Sequence, residues 1–519
     1  MQAKVSLVGV GPGDPGLLTL RGARAIARAD TVLYDALVHP AVLRHARPDA
    51  ELLFAGKRRG ADSATQDEIN HMILYRARQG RRVARLKGGD PMLFGRGAEE
   101  CEFLAEHGVP FEIVPGVTAA LGATAYAGIP LSHRERSSSI ALVTATEHPG
   151  KVEGRHDWSR LADATQTLVL YMGLHRLADA MAALVANGRD PATPAAVIQS
   201  GTFPEQRTVV ATVATLAQAC EAAKIGAPAL VVVGSVVSLR ERLRWWDREP
   251  LFGRRVLVTR AKEQSAGFVE ALGDEGAAAV EFPVLRFEGP TDGAPLARAF
   301  EALAEGAYRA VAFTSQNGVA RFFDGLDARG LDARAFGRAK VVAIGPATAA
   351  ALKARGVRPD AVAKEFIGEG VARAVADLLG GEIMGARVLL ARAEVARDAL
   401  PAALRAMGAA VDVVAAYRTV AAPADEVEAL RASLRAGELD AVTFTSSSTV
   451  TNLCDALGPD APALLARAVV ASIGPVTSET ARARGLTVAV EATEFTAAGL
   501  LDALRAHYER IVHPEPPPS

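Results

Sequence analysis

One continuous run, Val83-Ala-Arg-Leu-Lys-Gly-Gly-Asp-Pro-Met-Leu-Phe-Gly-Arg-Gly97, holds the residue types and spacing best suited to chemistry. A short apolar strand bearing Arg85 and Lys87 breaks on Gly88, Gly89 and an Asp-Pro turn at Asp90, and a helix follows. Glycines at a strand end let main-chain amides approach a ligand with no side chain between them. Arg85, Lys87 and Arg96 add positive charge at the same place. The run predicts a site for a small ligand with a polar tail, beside something anionic.

The elements around it must position that turn. Apolar runs of strand length alternate with amphipathic helical stretches and Gly-rich turns along the whole chain, which is an α/β pattern. At the start, Lys4-Val-Ser-Leu-Val-Gly-Val-Gly-Pro-Gly-Asp-Pro-Gly16 reads as a strand running into a glycine loop. A helix from about Leu17 to Ala29 and a second strand, Thr31–Tyr34, lead to Asp35. The layout imitates a dinucleotide-binding fold, with an acidic residue about 20 positions after the glycines. Yet Asp14 stands where that fingerprint needs glycine, and its carboxylate would repel a pyrophosphate. Pro12 and Pro15 remove amides that would cradle one. A cationic ligand such as a sulfonium meets no such repulsion.

The chain has 519 residues, which predicts three or four domains of about 150 residues. Its 58 basic and 59 acidic side chains give no general attraction for nucleic acid or membranes, so an anionic substrate must meet a local basic cluster. No apolar run approaches the ~20 residues of a membrane span, and the first residues have no signal-peptide layout. Cys101, Cys220 and Cys454 stand too far apart for a zinc motif or a disulfide framework. A reduced, cytoplasmic protein without metal is expected. The charged run Leu239–Phe252, with Pro250, reads as a linker. Beyond it the chain repeats itself. Arg255-Val-Leu-Val-Thr-Arg-Ala261 recurs from Arg387, Ala310-Val-Ala-Phe-Thr-Ser315 from Ala441, Ala343-Ile-Gly-Pro-Ala-Thr348 from Ser472, and Glu365-Phe-Ile-Gly-Glu-Gly370 from Glu494. The offsets are 132, 131, 129 and 129 residues, so the second half is a duplicated α/β unit.

Gly9-Val-Gly-Pro-Gly-Asp14, Tyr34-Asp35, Gly56-Lys57-Arg58, the Val83–Gly97 run, Val114-Pro-Gly-Val-Thr118, Ala127-Gly-Ile-Pro130, Tyr171-Met-Gly173 and Pro228-Ala-Leu-Val-Val232 resemble uroporphyrinogen-III C-methyltransferases. The resemblance covers residues 1–246, as subdomains of about 1–115 and 116–246. It implies two α/β domains that clamp S-adenosylmethionine in a trough, usually as a homodimer. It further implies cofactor contacts at Pro12, Gly88, Gly89, Asp90, Leu93, Thr118, Ala119, Met172 and Gly201, with Asp35 as proton acceptor and Lys57 as proton donor. The substrate carries eight carboxylates, which makes Arg58, Arg85 and Lys87, with Arg59, Arg134 and Arg136, plausible partners. Simpler readings stand beside these: Asp35 as a helix cap, and Arg81 and Arg82 as solvated charges at a helix end. Where many relatives continue Val-Thr-Gly-His, this chain has Val143-Thr-Ala-Thr-Glu-His148, so no site is assigned there.

The second half, with Val311-Ala-Phe-Thr-Ser-Gln-Asn-Gly318, Leu390-Ala-Arg392, Ala416-Tyr-Arg-Thr419, Phe444-Thr-Ser-Ser-Ser448 and Ile473-Gly-Pro475, resembles uroporphyrinogen-III synthase. The implied fold is a pair of flavodoxin-like lobes over residues 253–510, after a linker at 247–252. Lobe one would combine 253–288 with 421–510, and lobe two would be 289–420, so the lobes differ from the sequence repeats. Residues 511–519 read as a disordered tail. The implied reaction closes hydroxymethylbilane with loss of water and needs no metal or redox cofactor. Neutral donors at strand ends suit a flexible polycarboxylate: Thr314, Ser315, Asn317, Thr348, Ser446, Ser447 and Thr477, with Tyr417 as a proton donor to the departing hydroxyl. The Thr-Ser turns could equally be helix caps. Together the halves suggest a bifunctional enzyme that makes uroporphyrinogen III and methylates it twice to precorrin-2, towards sirohaem or cobalamin. Another corrin-pathway methyltransferase fused to a tetrapyrrole-binding regulatory module is the alternative.

Overall fold

A computed structural model of the chain describes residues 5–56, 65–145, 156–163, 165–260, 262–365, 367–396 and 398–512. Among the described residues the molecule is α/β, with four separate sheets. It divides into two compact units, one from the N-terminus to Val256 with Phe268–Ala279 and the chain from Leu501, the other Leu257–Gly267 with Val280–Leu500. Among the described residues no helix is long and apolar enough to cross a membrane.

The first sheet contains β1 (Val5–Gly9), β2 (Thr31–Tyr34), β3 (Glu51–Phe54), β4 (Val83–Lys87) and β5 (Phe111–Val114), ordered β3-β2-β4-β1-β5 and parallel throughout. From β1 the chain crosses back past β4 to β2, while from β4 it crosses past β1 to β5. The two crossovers lie on opposite faces: the helix Leu20–Arg28 packs Ile26 against Val8, Ala84 and Leu86. The helices Gln66–Arg78 and Gly97–Glu106 pack Ile69, Ile73, Cys101 and Leu104 against Val5, Leu7 and Val83. Neighbouring strands whose connections leave in opposite directions open a crevice at their carboxyl ends, the usual ligand position in open α/β sheets. Here that point lies between β1 and β4.

The second sheet contains β6 (Ile140–Thr144), β7 (Thr167–Tyr171), β8 (Pro194–Gln199), β9 (Arg207–Thr212) and β10 (Ala229–Val233), ordered β6-β7-β10-β8-β9. β6 and β7 are parallel, while β10 runs antiparallel to both β7 and β8. The carboxyl ends of β6, β7 and β8 therefore share one edge. The run read as a linker is folded instead. Trp246 and Leu251 are buried, Arg240 donates to the Ala127 carbonyl and pairs with Asp247, and Trp245 Nε1 donates to Ala125 O at 3.0 Å. Charged residues dominate its composition, but its anchors are two tryptophans and one buried ion pair.

The remaining strands are β11 (Arg255–Val258), β12 (Ala278–Glu281), β13 (Leu285–Glu288), β14 (Ala310–Phe313), β15 (Lys340–Ala343), β16 (Ala361–Val362), β17 (Arg387–Ala393), β18 (Ala410–Ala421), β19 (Ala441–Phe444), β20 (Val469–Ser472) and β21 (Val488–Glu491). They form two sheets, β12-β11-β19-β20-β21 and β13-β18-β17-β14-β15-β16. The first is the flavodoxin-like order 2-1-3-4-5. In the second, β18-β17-β14-β15-β16 is the same order built from strands displaced by one repeat. Each of these five-strand sets thus takes two strands from one copy of the duplication and three from the other. Antiparallel pairing of β13 with Arg418–Ala421 of β18 extends the second sheet. Its core is aromatic, with Phe313, Phe322 and Phe336 in mutual ring contact and Phe300 against Phe322. The last helix, Ala497–Val512, continues through 511 and 512, which were expected to be tail; 513–519 lie outside the described residues.

Candidate active sites

At the crevice of the first sheet, three glycines bring main chain against main chain. A Cβ on Gly9 would lie 2.6 Å from Gly116 N and 2.7 Å from Gly89 O, so no other residue fits there. Gly89, at φ +71°, exchanges hydrogen bonds with Gly11, its N–H donating to Gly11 O at 2.7 Å. The space beside Gly89 is open: a Cβ there would meet nothing closer than 3.8 Å, the backbone of Thr118 and Ala119. Asp90 fastens the neighbouring loops, accepting from Gly116 N at 3.0 Å and Met92 N at 2.8 Å. Pro12 packs on the helix Ala119–Tyr126, where a Cβ at Gly122 would touch its ring at 2.5 Å.

The second sheet contributes the loops after β7 and β8. Tyr171, at the end of β7, belongs to a sequence motif that assigned it no role of its own. Its hydroxyl lies 2.6 Å from Thr118 Oγ1 and accepts from Ala120 N at 2.9 Å, and its ring lies 4.9 Å from that of Phe94. Burial raises its pKa, so it stays neutral. After β8, Thr202 Oγ1 accepts from Asp14 N at 2.9 Å, and the Asp14 carboxylate accepts from Tyr126. Gly201 sits on Ala123, with room for no side chain. Among the described residues, six non-glycine positions have left-handed φ, and Phe94, Arg96, Met172, Ser200 and Thr202 are five of them. All five are in these loops. Such conformations cost about 1 kcal/mol or more each and persist where surrounding contacts over-determine them, typically at ligand sites.

The predicted cofactor residues Pro12, Gly88, Gly89, Asp90, Leu93, Thr118, Ala119, Met172 and Gly201 all lie in these loops or at the start of the helix that follows them. Met172 is half exposed, while Thr118 is buried and Leu93 N donates to Asp90 O. Asp35 follows β2 at the same carboxyl edge. Its Oδ1 accepts from Leu37 N at 3.1 Å and its Oδ2 from Arg85 Nη2 at 3.3 Å, so it both closes a turn and meets a cation. Lys57 and Arg58 lie outside the described residues, as do Thr146, Glu147 and His148.

Arg85 and Lys87, expected to face the substrate's carboxylates, are instead buried, at 3% and 5% exposure. The reason is the strand's period of two: Val83, Arg85 and Lys87 point to the face covered by the helix Gly97–Glu106. Glu100 of that helix, 1% exposed, receives Lys87 Nζ at 2.7 Å and Arg85 Nε at 3.4 Å. Burial, and then the like charge of Arg85, push the Lys87 pKa down. Glu100 was missed by sequence reading, although two cations on one face of a buried strand call for a carboxylate on the covering helix. Arg81 and Arg82 bind Glu51 and Asp30, away from this edge.

In the second half the predicted hydroxyls separate into two groups. Ser315 caps the helix Gln316–Asp327, accepting from Gly318 N at 2.9 Å, and its Oγ lies 3.1 Å from the Tyr417 hydroxyl. Tyr417 sits where β18 leaves β17, its ring edge-on to Phe287 at 5.5 Å. Ser446, the equivalent of Ser315 in the other copy, caps the helix Ser447–Leu457 through a reciprocal box with Thr449. Ser447 receives Thr480 Oγ1 at 2.8 Å. Thr314 and Asn317, at the same end of β14 as Ser315, are half-buried. Thr348 and Thr477 form the second group. Both are third residues of helices that begin at Pro346 and Pro475, and both are turned inward, at 3% and 5% exposure. They are not presented to a substrate as expected; Val476 beside Thr477 is the exposed residue.

Comparison with known proteins follows the same division. Residues 4–217 match the tetrapyrrole (corrin/porphyrin) methylases, and residues 266–502 match the uroporphyrinogen-III synthase HemD family. The porphyrin biosynthesis protein HemD of Ruminiclostridium josui is 38% identical over 500 residues, covering 96% of this chain and 97% of that protein. The uroporphyrinogen-III C-methyltransferase of Bacillus subtilis is 37% identical over 369 residues, 70% of this chain and 75% of that one. Among solved structures, the uroporphyrin-III C-methyl transferase of Thermus thermophilus complexed with S-adenyl homocysteine is 40% identical. It covers 46% of this chain and 100% of its own, with a TM-score of 0.40. The chain belongs to the tetrapyrrole methylases through its first half and to the HemD uroporphyrinogen-III synthases through its second.

Proposed function

We propose that the chain is a bifunctional tetrapyrrole enzyme: the second half closes hydroxymethylbilane to uroporphyrinogen III, and the first methylates that product twice to precorrin-2. The observation that carries the methyltransferase reading is the convergence of Gly9, Gly89 and Gly116 at the switch point of the first sheet. The surrounding loops, 10–14, 88–96, 115–119, 172–173 and 200–203, contain two carboxylates, Asp14 and Asp90, and one cation, Arg96, which is paired with Glu99. Such a lining suits S-adenosylmethionine, whose adenosine is neutral and whose sulfonium is cationic, and it disfavours a pyrophosphate. When bound, S-adenosylmethionine supplies an electrophilic methyl group. Bond formation to a pyrrole carbon leaves the macrocycle with a positive charge that it loses as a proton. Asp35, held at both oxygens by Leu37 N–H and Arg85, accepts that proton. The reading of Lys57 as proton donor, and of a homodimer formed through this half, is supported by the resemblance alone.

In the second half Tyr417 donates to the departing hydroxyl while Ser315 supports its oxygen. Because the Ser315 oxygen already accepts from Gly318 N–H, its own proton is available to the tyrosine. Mixing the intact protein with hydroxymethylbilane and S-adenosylmethionine should yield a dimethylated ring by mass and absorbance. Accumulation of uroporphyrinogen I would refute the synthase assignment; failure to methylate supplied uroporphyrinogen III would refute the other. Asp35→Asn should slow methyl transfer by about 10²-fold, read under saturation with both substrates, with ring closure unaffected. Tyr417→Phe should slow ring closure about tenfold or more with methyl transfer unaffected, and an unchanged turnover removes its role as acid.

A further inference from the structure

We infer that Glu100 is a positioning residue for methyl transfer, fixing Arg85 so that Arg85 in turn fixes the Asp35 carboxylate. The inference rests on the reading of Asp35 as proton acceptor. All three guanidinium nitrogens of Arg85 are engaged: Nε with Glu100 at 3.4 Å, Nη1 with Leu86 O at 2.8 Å, Nη2 with Asp35 Oδ2 at 3.3 Å. A planar fork bound at three points has one orientation. Asp35, held at Oδ1 by Leu37 N–H, is therefore aimed from two sides. Glu100 stands behind this arrangement and cannot touch a substrate, since helix and strand bury it.

Its hydrogen bonding is lopsided. Oε1 accepts from Lys87, Gln66 at 3.0 Å, and Arg85, whereas Oε2 is buried with no partner among the described residues. A carboxylate retained only to balance charge would share its donors between both oxygens. Crowding them on one oxygen holds that atom, and with it the Arg85 Nε–H, at a single point. An orphaned buried acceptor costs free energy, and such an imbalance calls for a functional reason.

The test uses the intact chain and four proteins: the parent, Asp35→Asn, Glu100→Gln, and Glu100→Gln combined with Lys87→Met. The double variant removes one charge of each sign, so the pocket regains neutrality and, with it, thermal stability. The expected result is that both Glu100 variants bind S-adenosylmethionine as the parent does in calorimetry. Their kcat for methyl transfer to uroporphyrinogen III should be about 10²-fold lower, the scale of a catalytic group misplaced by about 1 Å. Recovery of kcat together with Tm in the double variant would show that Glu100 only balances charge, and would overturn the inference. So would a Glu100→Gln enzyme at parental kcat beside an inactive Asp35→Asn enzyme. If Asp35→Asn itself keeps parental kcat, the proton-acceptor reading fails, and the inference falls with it.

Discussion

Gly116→Ala is expected to abolish methyl transfer while leaving ring closure by the second half intact. A Cβ at position 116 would lie 2.6 Å from the Gly9 carbonyl carbon and 2.7 Å from Gly9 Cα, and nearer still to Gly89 O. All three neighbours are main chain, so no side chain can rotate away. Relief requires the loop after β5 to lift from β1, which is paired with β5 up to Val8 and Val114. Lifting it breaks the Gly116 N–H bond to Asp90 and disturbs the Gly89–Gly11 pairing next to it. Overpacking and the loss of one charge-assisted hydrogen bond together cost about 2–5 kcal/mol, enough to reduce cofactor affinity by orders of magnitude. Calorimetric titration with S-adenosylmethionine, beside an assay of hydroxymethylbilane closure on the same preparation, separates the two outcomes. Affinity equal to the parent's would show that the three-glycine contact does not shape the site.

Residues whose role is written in the main chain were the most legible in the sequence. Gly88 and Gly89 end a strand at an Asp-Pro turn, and their spacing announces that turn whatever surrounds it, whereas Pro12 and Gly201 were reached through the family resemblance. The duplication was equally plain, because four motifs at near-constant offset leave little freedom, and the strand exchange between its copies appears in the sheet orders. Roles that depend on a partner from another element were harder to read. Arg85 and Lys87 look like substrate contacts until Glu100, on the next helix, is seen to lie over them. Thr348 and Thr477 look like exposed donors because they follow Gly-Pro at a strand end. Helix phase decides the matter, turning the threonine inward and, in the second copy, leaving Val476 outside. The run Leu239–Phe252 misled through composition: two of its charges, Arg240 and Asp247, form a buried pair, and buried Trp246 holds it down.

The strand exchange yields the other large effect. Gly370→Ala and Gly499→Ala, made separately, should destabilise the second half to a similar degree. In each copy the glycine lies five residues after the Glu of Glu-Phe, as the third residue of a helix over which that glutamate's carbonyl folds back. A Cβ at Gly499 would lie 2.7 Å from Glu494 Cβ and 3.0 Å from its carbonyl carbon; one at Gly370 would lie 3.1 Å from both atoms of Glu365. In both the carbonyl oxygen is closer again, and it belongs to the main chain. Overpacking against backbone costs about 1–3 kcal/mol, sometimes more. Gly318→Ala provides the contrast, because its nearest neighbour is the Ser315 hydroxyl at 3.1 Å, which can give way. Thermal unfolding followed by circular dichroism should rank Gly318→Ala well above the other two. The two glycines serve the same turn in different sheets, so their effects should add in the double variant, as they do for sites that share no partner. Loss of stability from one substitution alone would mean that the copies, alike in sequence and sheet order, no longer make this turn for the same reason.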